Sequence, residues 1–125
     1  MTPILETDRL ILRTINVERD FDGWTEMMAD EETVRYIGGQ VMNRALAWRN
    51  MYMVIGHQQV RGYSFFSIIE KSTGQWVGRV GPWNPEGWAQ PEVGWAIHPN
   101  HTRKGYAAEA GEACVRYAFD QLQWR

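Results

Sequence analysis

The chain has 125 residues, a formal net charge of −2, and 44% hydrophobic and 22% charged residues, a length and composition for one globular domain with its own core and not for a disordered chain. The charge balance offers no basic excess for nucleic acid, and no apolar run approaches a membrane span. The start, interrupted by Asp8, Arg9 and Arg13, does not read as a secretory signal, and one cysteine makes no internal disulfide and fits a reducing cytoplasm.

In chain order, residues 9–14 alternate Leu10 and Leu12 with Ile11 and Arg13 and read as a first strand. Residues 17–29 carry Val17, Phe21, Trp24, Met27 and Met28 at the spacing of an amphipathic helix. Residues 30–36 read as a turn with a scrap of helix, closed by Gly38 and Gly39. Residues 44–60 form a second helix, with Leu46, Trp48, Met51, Tyr52 and Ile55 on a broad apolar face. Residues 63–70 have strand composition, residues 71–74 a turn, and residues 75–81 the returning strand of an antiparallel hairpin. Gly78 and Gly81 there mark a bulge or a close backbone approach. Residues 82–90, with two prolines and a glycine, read as a loop. Trp76, Trp83, Trp88 and Trp95 fall around these strands, either as core or as the lining of an acceptor pocket.

Residues 91–98 are the next strand. Alternation sets Glu92, Gly94, Ala96 and His98 on one face and Val93, Trp95 and Ile97 on the other, greasier face, which is predicted to cover the core. A short turn through Thr102, Arg103, Lys104 and Gly105 leads into a helix over residues 106–121. Its Ala107, Gly111, Cys114, Ala118 and Leu122 share a face small enough to lie close on a sheet, and Glu112 and Arg116 are spaced to pair on the surface. A strand that ends in a cationic, glycine-bearing turn and opens into a helix suits phosphate. The first helical N–H groups lack internal partners, the dipole is positive there, and Gly105 lets the backbone approach a ligand. The turn alone fits equally well a solvated loop that needs its glycine for geometry.

The run Ala96-Ile97-His98-Pro99, then Arg103-Lys104-Gly105-Tyr106-Ala107, then Ala108-Glu109-Ala110, resembles the acetyl-coenzyme A loop of GNAT-superfamily N-acetyltransferases. Gly105 and Ala107 match the last two positions of that family's pattern. Thr102 stands where the family usually has Gln or Arg, and Arg103 where many members have Gly. The opening Leu5-Glu6-Thr7-Asp8-Arg9-Leu10-Ile11-Leu12-Arg13 is similar to the branch that includes the acetylases of ribosomal-protein N-termini. The resemblance implies an α/β (α+β) fold: a mixed, mostly antiparallel central sheet flanked by helices, as one domain over residues 1–125 that lacks the family's last strands. The fourth strand would then be an open edge, through which a second copy could pair as a homodimer.

The resemblance further implies direct transfer of acetyl from acetyl-coenzyme A, as cosubstrate, to a primary amine in a ternary complex, the acceptor being a small amine or a peptide N-terminus. Backbone at Trp95, Ala96 and Ile97 would hold the acyl group, and residues Thr102, Arg103, Lys104, Gly105, Tyr106 and Ala107 the pyrophosphate. Glu92 is the first candidate base and His98, as an imidazole, the second. Each has a structural alternative: a solvated carboxylate for Glu92, an orderer of the loop for His98. Cys114 reads as a buried small hydrophobe, and His57, His98 and His101 show no metal-ligand spacing. Two further readings stand beside the enzyme: a silent coenzyme A-binding half-domain completed by another chain, and a nucleotide-phosphate binder without acyl chemistry.

Overall fold

A computed structural model describes residues 4–124. Five strands form one antiparallel sheet in the order β1 (Leu5–Glu6), β2 (Leu10–Arg13), β3 (Phe66–Glu70), β4 (Trp76–Trp83), β5 (Glu92–Ile97). Helix α4 (Tyr106–Asp120) covers one face. Helices α1 (Val17–Met28) and α3 (Arg44–Arg61) cover the other, with the single turn α2 (Glu31–Val34) beside them. Each of α1, α2 and α3 starts on a side-chain cap, with Asn16, Asp30 and Asn43 accepting from the amides of Arg19, Thr33 and Leu46. Helix α3 stops on Gly62, in the left-handed conformation at φ 85°.

The sheet separates two cores. On the α4 side Leu10, Leu12, Phe66, Ile68 and Val80 meet Tyr106, Ala110, Cys114 and Tyr117. On the other side Trp24, Met27 and Met28 of α1 and Ala47, Met51 and Val54 of α3 meet Phe65, Trp83 and Ala96. Several expectations need correction here. The residues of α3 that face the core are Ala47, Met51 and Val54, while Leu46, Trp48 and Tyr52 are exposed and Trp48 stacks on Tyr52 in solvent. Apolar and polar residues are spread all round this helix, so its sequence period does not select the buried stripe. The expected loop over residues 82–90 loses its first two residues to β4. By the alternation that His98 N–H to Val77 C=O sets, Pro82 falls at a position that needs no donor toward β5, so the strand tolerates it. The two-residue β1 is an element the periodicity did not predict.

Strand β5 also departs from its expected face pattern. Ala96, at 6% exposure, is its most buried residue, and Val93 and Ile97 pack half-buried toward α4. Trp95 is 52% exposed and does not cover the core. Both faces of the sheet are roofed by helices, so neither alternation set has sole claim to the interior. Gly78 and Gly81 do mark close approaches: a Cβ at Gly78 would lie 2.3 Å from Ala96 O, and one at Gly81 2.3 Å from Phe65 Cα. The register shift between Ile68 and Ile69, which pair with Gly78 and Trp76, makes Val77 the extra residue of a bulge in β4.

Candidate active site

Among the described strands, β5 is hydrogen-bonded along one edge only. His98 N–H donates to Val77 C=O, and the ladder from Gly78–Ile97 to Trp83–Glu92 has no shift. Hydrogen-bonded pairs therefore fall at Ala96, Gly94 and Glu92, and the N–H groups of Trp95 and Ile97 point outward, away from β4. They face a cleft of about 770 Å³ between the α2 segment and the start of α4.

The opposite wall is the turn before α4. After the short 3₁₀ turn Pro99–His101, Arg103 (φ 65°) and Gly105 (φ 82°) both take the left-handed conformation. A non-glycine residue there is uncommon, and alternation of this kind turns successive amides to one side as an anion nest. Gly105 caps α4 without a side-chain hydrogen bond, and the first amide of this stretch to find a partner is that of Glu109, on Gly105 C=O. Among the described residues the amides of residues 103–108 bond to nothing in the chain. Trp95, Ala96, Ile97, Thr102, Arg103, Gly105, Tyr106 and Ala107, eight of the nine expected cofactor residues, line the cleft.

Lys104 is the exception. Its Nζ turns back to within 3.0 Å of His101 Nδ1 and 3.6 Å of Glu70, and its carbonyl accepts from Arg9 Nη1 at 2.8 Å. The Tyr106 side chain also turns inward, donating its hydroxyl to Glu70. Glu70, which also accepts from Thr73, is held down at about 2, chiefly by the Tyr106 hydrogen bond, then by that of Thr73, against the opposing effect of burial. The same contact and burial push the Tyr106 phenol up.

A clamp from the other end of the chain fixes this turn, and no local spacing announced it. Glu109 accepts from Thr7 Oγ1, Arg9 N and Arg9 Nε, while the Arg9 guanidinium lies 4.7 Å from the Tyr106 ring centre. Burial pushes the Glu109 carboxyl up, and these donors outweigh it, so its net shift is downward.

The two candidate bases differ. Both ring nitrogens of His98 are engaged: Nδ1 accepts from Asn100 N–H and Nε2 lies 2.8 Å from Glu26 Oε1, which ties strand to turn. Glu92 is exposed and has no ion pair among the described residues. It borders a second cavity of about 340 Å³, which shares Tyr36, Ile37 and Trp95 with the cleft. Trp83 and Trp88 line that cavity too, while Trp76 packs on Gly23 of α1. Cys114 is buried, and burial pushes its thiol up to about 12, far from a nucleophile's range.

A one-sided sheet edge whose free amides confront an anion nest at a helix start suits a ligand that carries both a phosphate and a polarised carbonyl. Residues 9–125 match the acetyltransferase (GNAT) domain, and the chain belongs to that family. It is 32% identical over 126 residues to the uncharacterized N-acetyltransferase YoaA of Bacillus subtilis, covering 98% of this chain and 70% of that protein. Its fold superposes on the crystal structure of an acetyltransferase from Agrobacterium tumefaciens with a TM-score of 0.86 at 27% identity, over 99% of this chain and 71% of that one. The fold alone is also shared, at a TM-score of 0.70 and 13% identity, with RimL, a ribosomal L7/L12 alpha-N-protein acetyltransferase in complex with coenzyme A, over 94% of this chain and 67% of that one.

Proposed function

We propose that the chain transfers acetyl from acetyl-coenzyme A to a primary amine by direct attack in a ternary complex. The observation that carries this is the run of unpaired amides over residues 103–108, which shares one cleft with the outward N–H groups of Trp95 and Ile97. The nest, helix start and Arg103 receive the pyrophosphate. The β5 amides receive the thioester oxygen as it gains charge. The amine nitrogen attacks the thioester carbon, the C–N bond forms and the C–S bond breaks, and the sulfur leaves as thiolate and takes up a proton. A lysine-type amine, with a pKa of about 10.4, must first lose a proton to a base. Glu92 fills that role better than His98, whose nitrogens are both occupied. It stands three residues before Trp95, about 10 Å along the strand, so its proton path runs through water. The acceptor is a small amine or a peptide N-terminus, the latter in keeping with the resemblance to the ribosomal-protein acetylases. The buried, unpaired cysteine fits a cytoplasmic setting.

Calorimetry with acetyl-coenzyme A, coenzyme A and ATP, alongside thiol release with mixed amines, tests the reading. Gly105→Glu, which puts a carboxylate into the nest at a left-handed position, is expected to abolish coenzyme binding. Unchanged affinity would overturn the cradle. A second reading rests on β5, which pairs with β4 alone among the described strands: a coenzyme-binding half completed through that edge by another copy. Light scattering at twice the chain mass, with coenzyme binding but no thiol release on any amine, would favour it.

A further inference from the structure

Arg79, in the middle of β4, is 6% exposed and borders the second cavity. Its guanidinium lies between the rings of Phe65 (4.4 Å to the centre) and Trp24 (5.0 Å), yet it makes no ion pair among the described residues. Among the described residues its guanidinium makes one hydrogen bond, from Nη1 to Asn50 Oδ1 at 3.2 Å. Nε is sealed off without a partner. Nη2 also bonds to nothing but is not among the sealed atoms. A buried cation left without a counter-charge is disfavoured by far more than two ring faces return. Burial lowers the Arg79 pKa to about 10, which leaves the group cationic at neutral pH.

Asn50 adds a second donor at the same place. Its Oδ1 receives both Trp24 Nε1, at 3.1 Å, and Arg79 Nη1; both are pure donors, so the orientation of the amide is fixed. Asn50 Nδ2 is then left unbonded among the described residues, on a residue that also borders the cavity. Two neighbouring residues with an unsatisfied donor each, one of them charged, border a pocket of about 340 Å³ whose other walls include Ile37, Met53, Trp83 and Trp88. Arg79 pairs in register with Ala96, between the two β5 amides that await the acyl oxygen. The donors therefore stand beside the reacting centre, and an acceptor that bonds them keeps its nitrogen close to its anionic group.

Resting on the acetyl-transfer reading above, we propose that the acceptor is a free α-amino acid with an apolar side chain, its carboxylate received by Arg79 and Asn50 and its amine presented to the thioester beside β5. The amine loses one proton to base and its nitrogen takes the acetyl group. The products are the N-acetyl amino acid and free coenzyme A thiol. A peptide N-terminus puts a neutral amide where this carboxylate falls and leaves the buried cation uncompensated.

The test compares thiol release from acetyl-coenzyme A with L-leucine, L-methionine and L-phenylalanine, with the corresponding amino acid amides, and with a peptide bearing a free N-terminus. Acetyl-coenzyme A binding is followed in parallel by calorimetry. The acids are expected to give kcat/KM about tenfold to a hundredfold above their amides, the worth of a charge-assisted hydrogen bond. Arg79→Met should remove that preference through KM, and Arg79→Lys should restore part of it. Amides or peptide used as well as the acids, or no transfer to any of them while acetyl-coenzyme A binds, would overturn this inference alone. So would an Arg79→Met protein that still binds acetyl-coenzyme A and keeps the acid preference. Absence of acetyl-coenzyme A binding to the unaltered protein would overturn the transfer reading and this inference with it.

Discussion

Glu92 opens β5 and His98 directly follows its last residue, and what surrounds each side chain separates their roles. His98 is nearly buried, and its two nitrogens tie the end of β5 to α1 through Glu26 and to the following turn through the Asn100 amide. Its replacement by phenylalanine should cost about 1–2 kcal/mol of stability through lost hydrogen bonds. The pH profile of transfer by the surviving folded protein should not move. Glu92 touches nothing that constrains it and borders the cavity that opens toward Trp95. Glu92→Gln keeps shape and size but removes the proton acceptor, so kcat should fall by about 10²–10⁴ while calorimetric affinity for acetyl-coenzyme A stays unchanged. Full activity in that variant would place the base elsewhere, and weakened coenzyme affinity would make Glu92 a structural group.

Strand, turn and helix around the nest are built from neighbours in sequence, which is why they were legible: alternation located β5, Gly105 marked the left-handed cap, and Gly111, Cys114 and Ala118 marked part of the buried side of α4, while its larger core residues Tyr106 and Tyr117 fell outside the small-residue face. Less legible were groups whose partners lie far along the chain. Glu109 is 100 residues from Arg9, and Arg79 is 29 from Asn50; no local period reports such contacts. The opening of the chain entered only as a resemblance, and the structure gives its physical content: the β1–β2 turn presents Thr7 and Arg9 to the first turn of α4. The clamp also reaches the Lys104 carbonyl inside the nest loop. Arg9→Ala should therefore weaken acetyl-coenzyme A binding by roughly tenfold without removing any residue that lines the cleft. The effect on stability should stay under about 1 kcal/mol, since Arg9 is close to half exposed. Calorimetry on that variant separates a held loop from a self-standing one; unchanged affinity would mean that the nest keeps its shape unaided.

Across the whole molecule the sheet and the coenzyme wall are joined by a buried contact between Glu70, at the end of β3, and the Tyr106 hydroxyl, in the first turn of α4. Glu70 falls from an ordinary value near 4.5 to about 2, so folding favours its ionised form. The stability this contributes is present above about pH 5, declines as pH falls, and is gone below about 2. Tyr106 is shifted the other way, upward from near 10, so folding favours the protonated phenol, and its contribution fades as pH rises past 10 toward the folded value. One hydrogen bond thus sets an acid and an alkaline limit on the same fold. Tyr106→Phe removes the largest cause of the Glu70 shift and leaves a carboxylate with 7% side-chain exposure supported by Thr73 and by Lys104 at 3.6 Å. Denaturant unfolding at pH 7, 5, 4 and 3 should show the unaltered protein losing stability steeply over the last two steps, from pH 5 to 3. The variant, already weaker by about 1–3 kcal/mol at pH 7 for the lost donor to a buried charge, should follow a shallower slope. Parallel curves for the two proteins would mean that the acid limit is set by some other carboxylate.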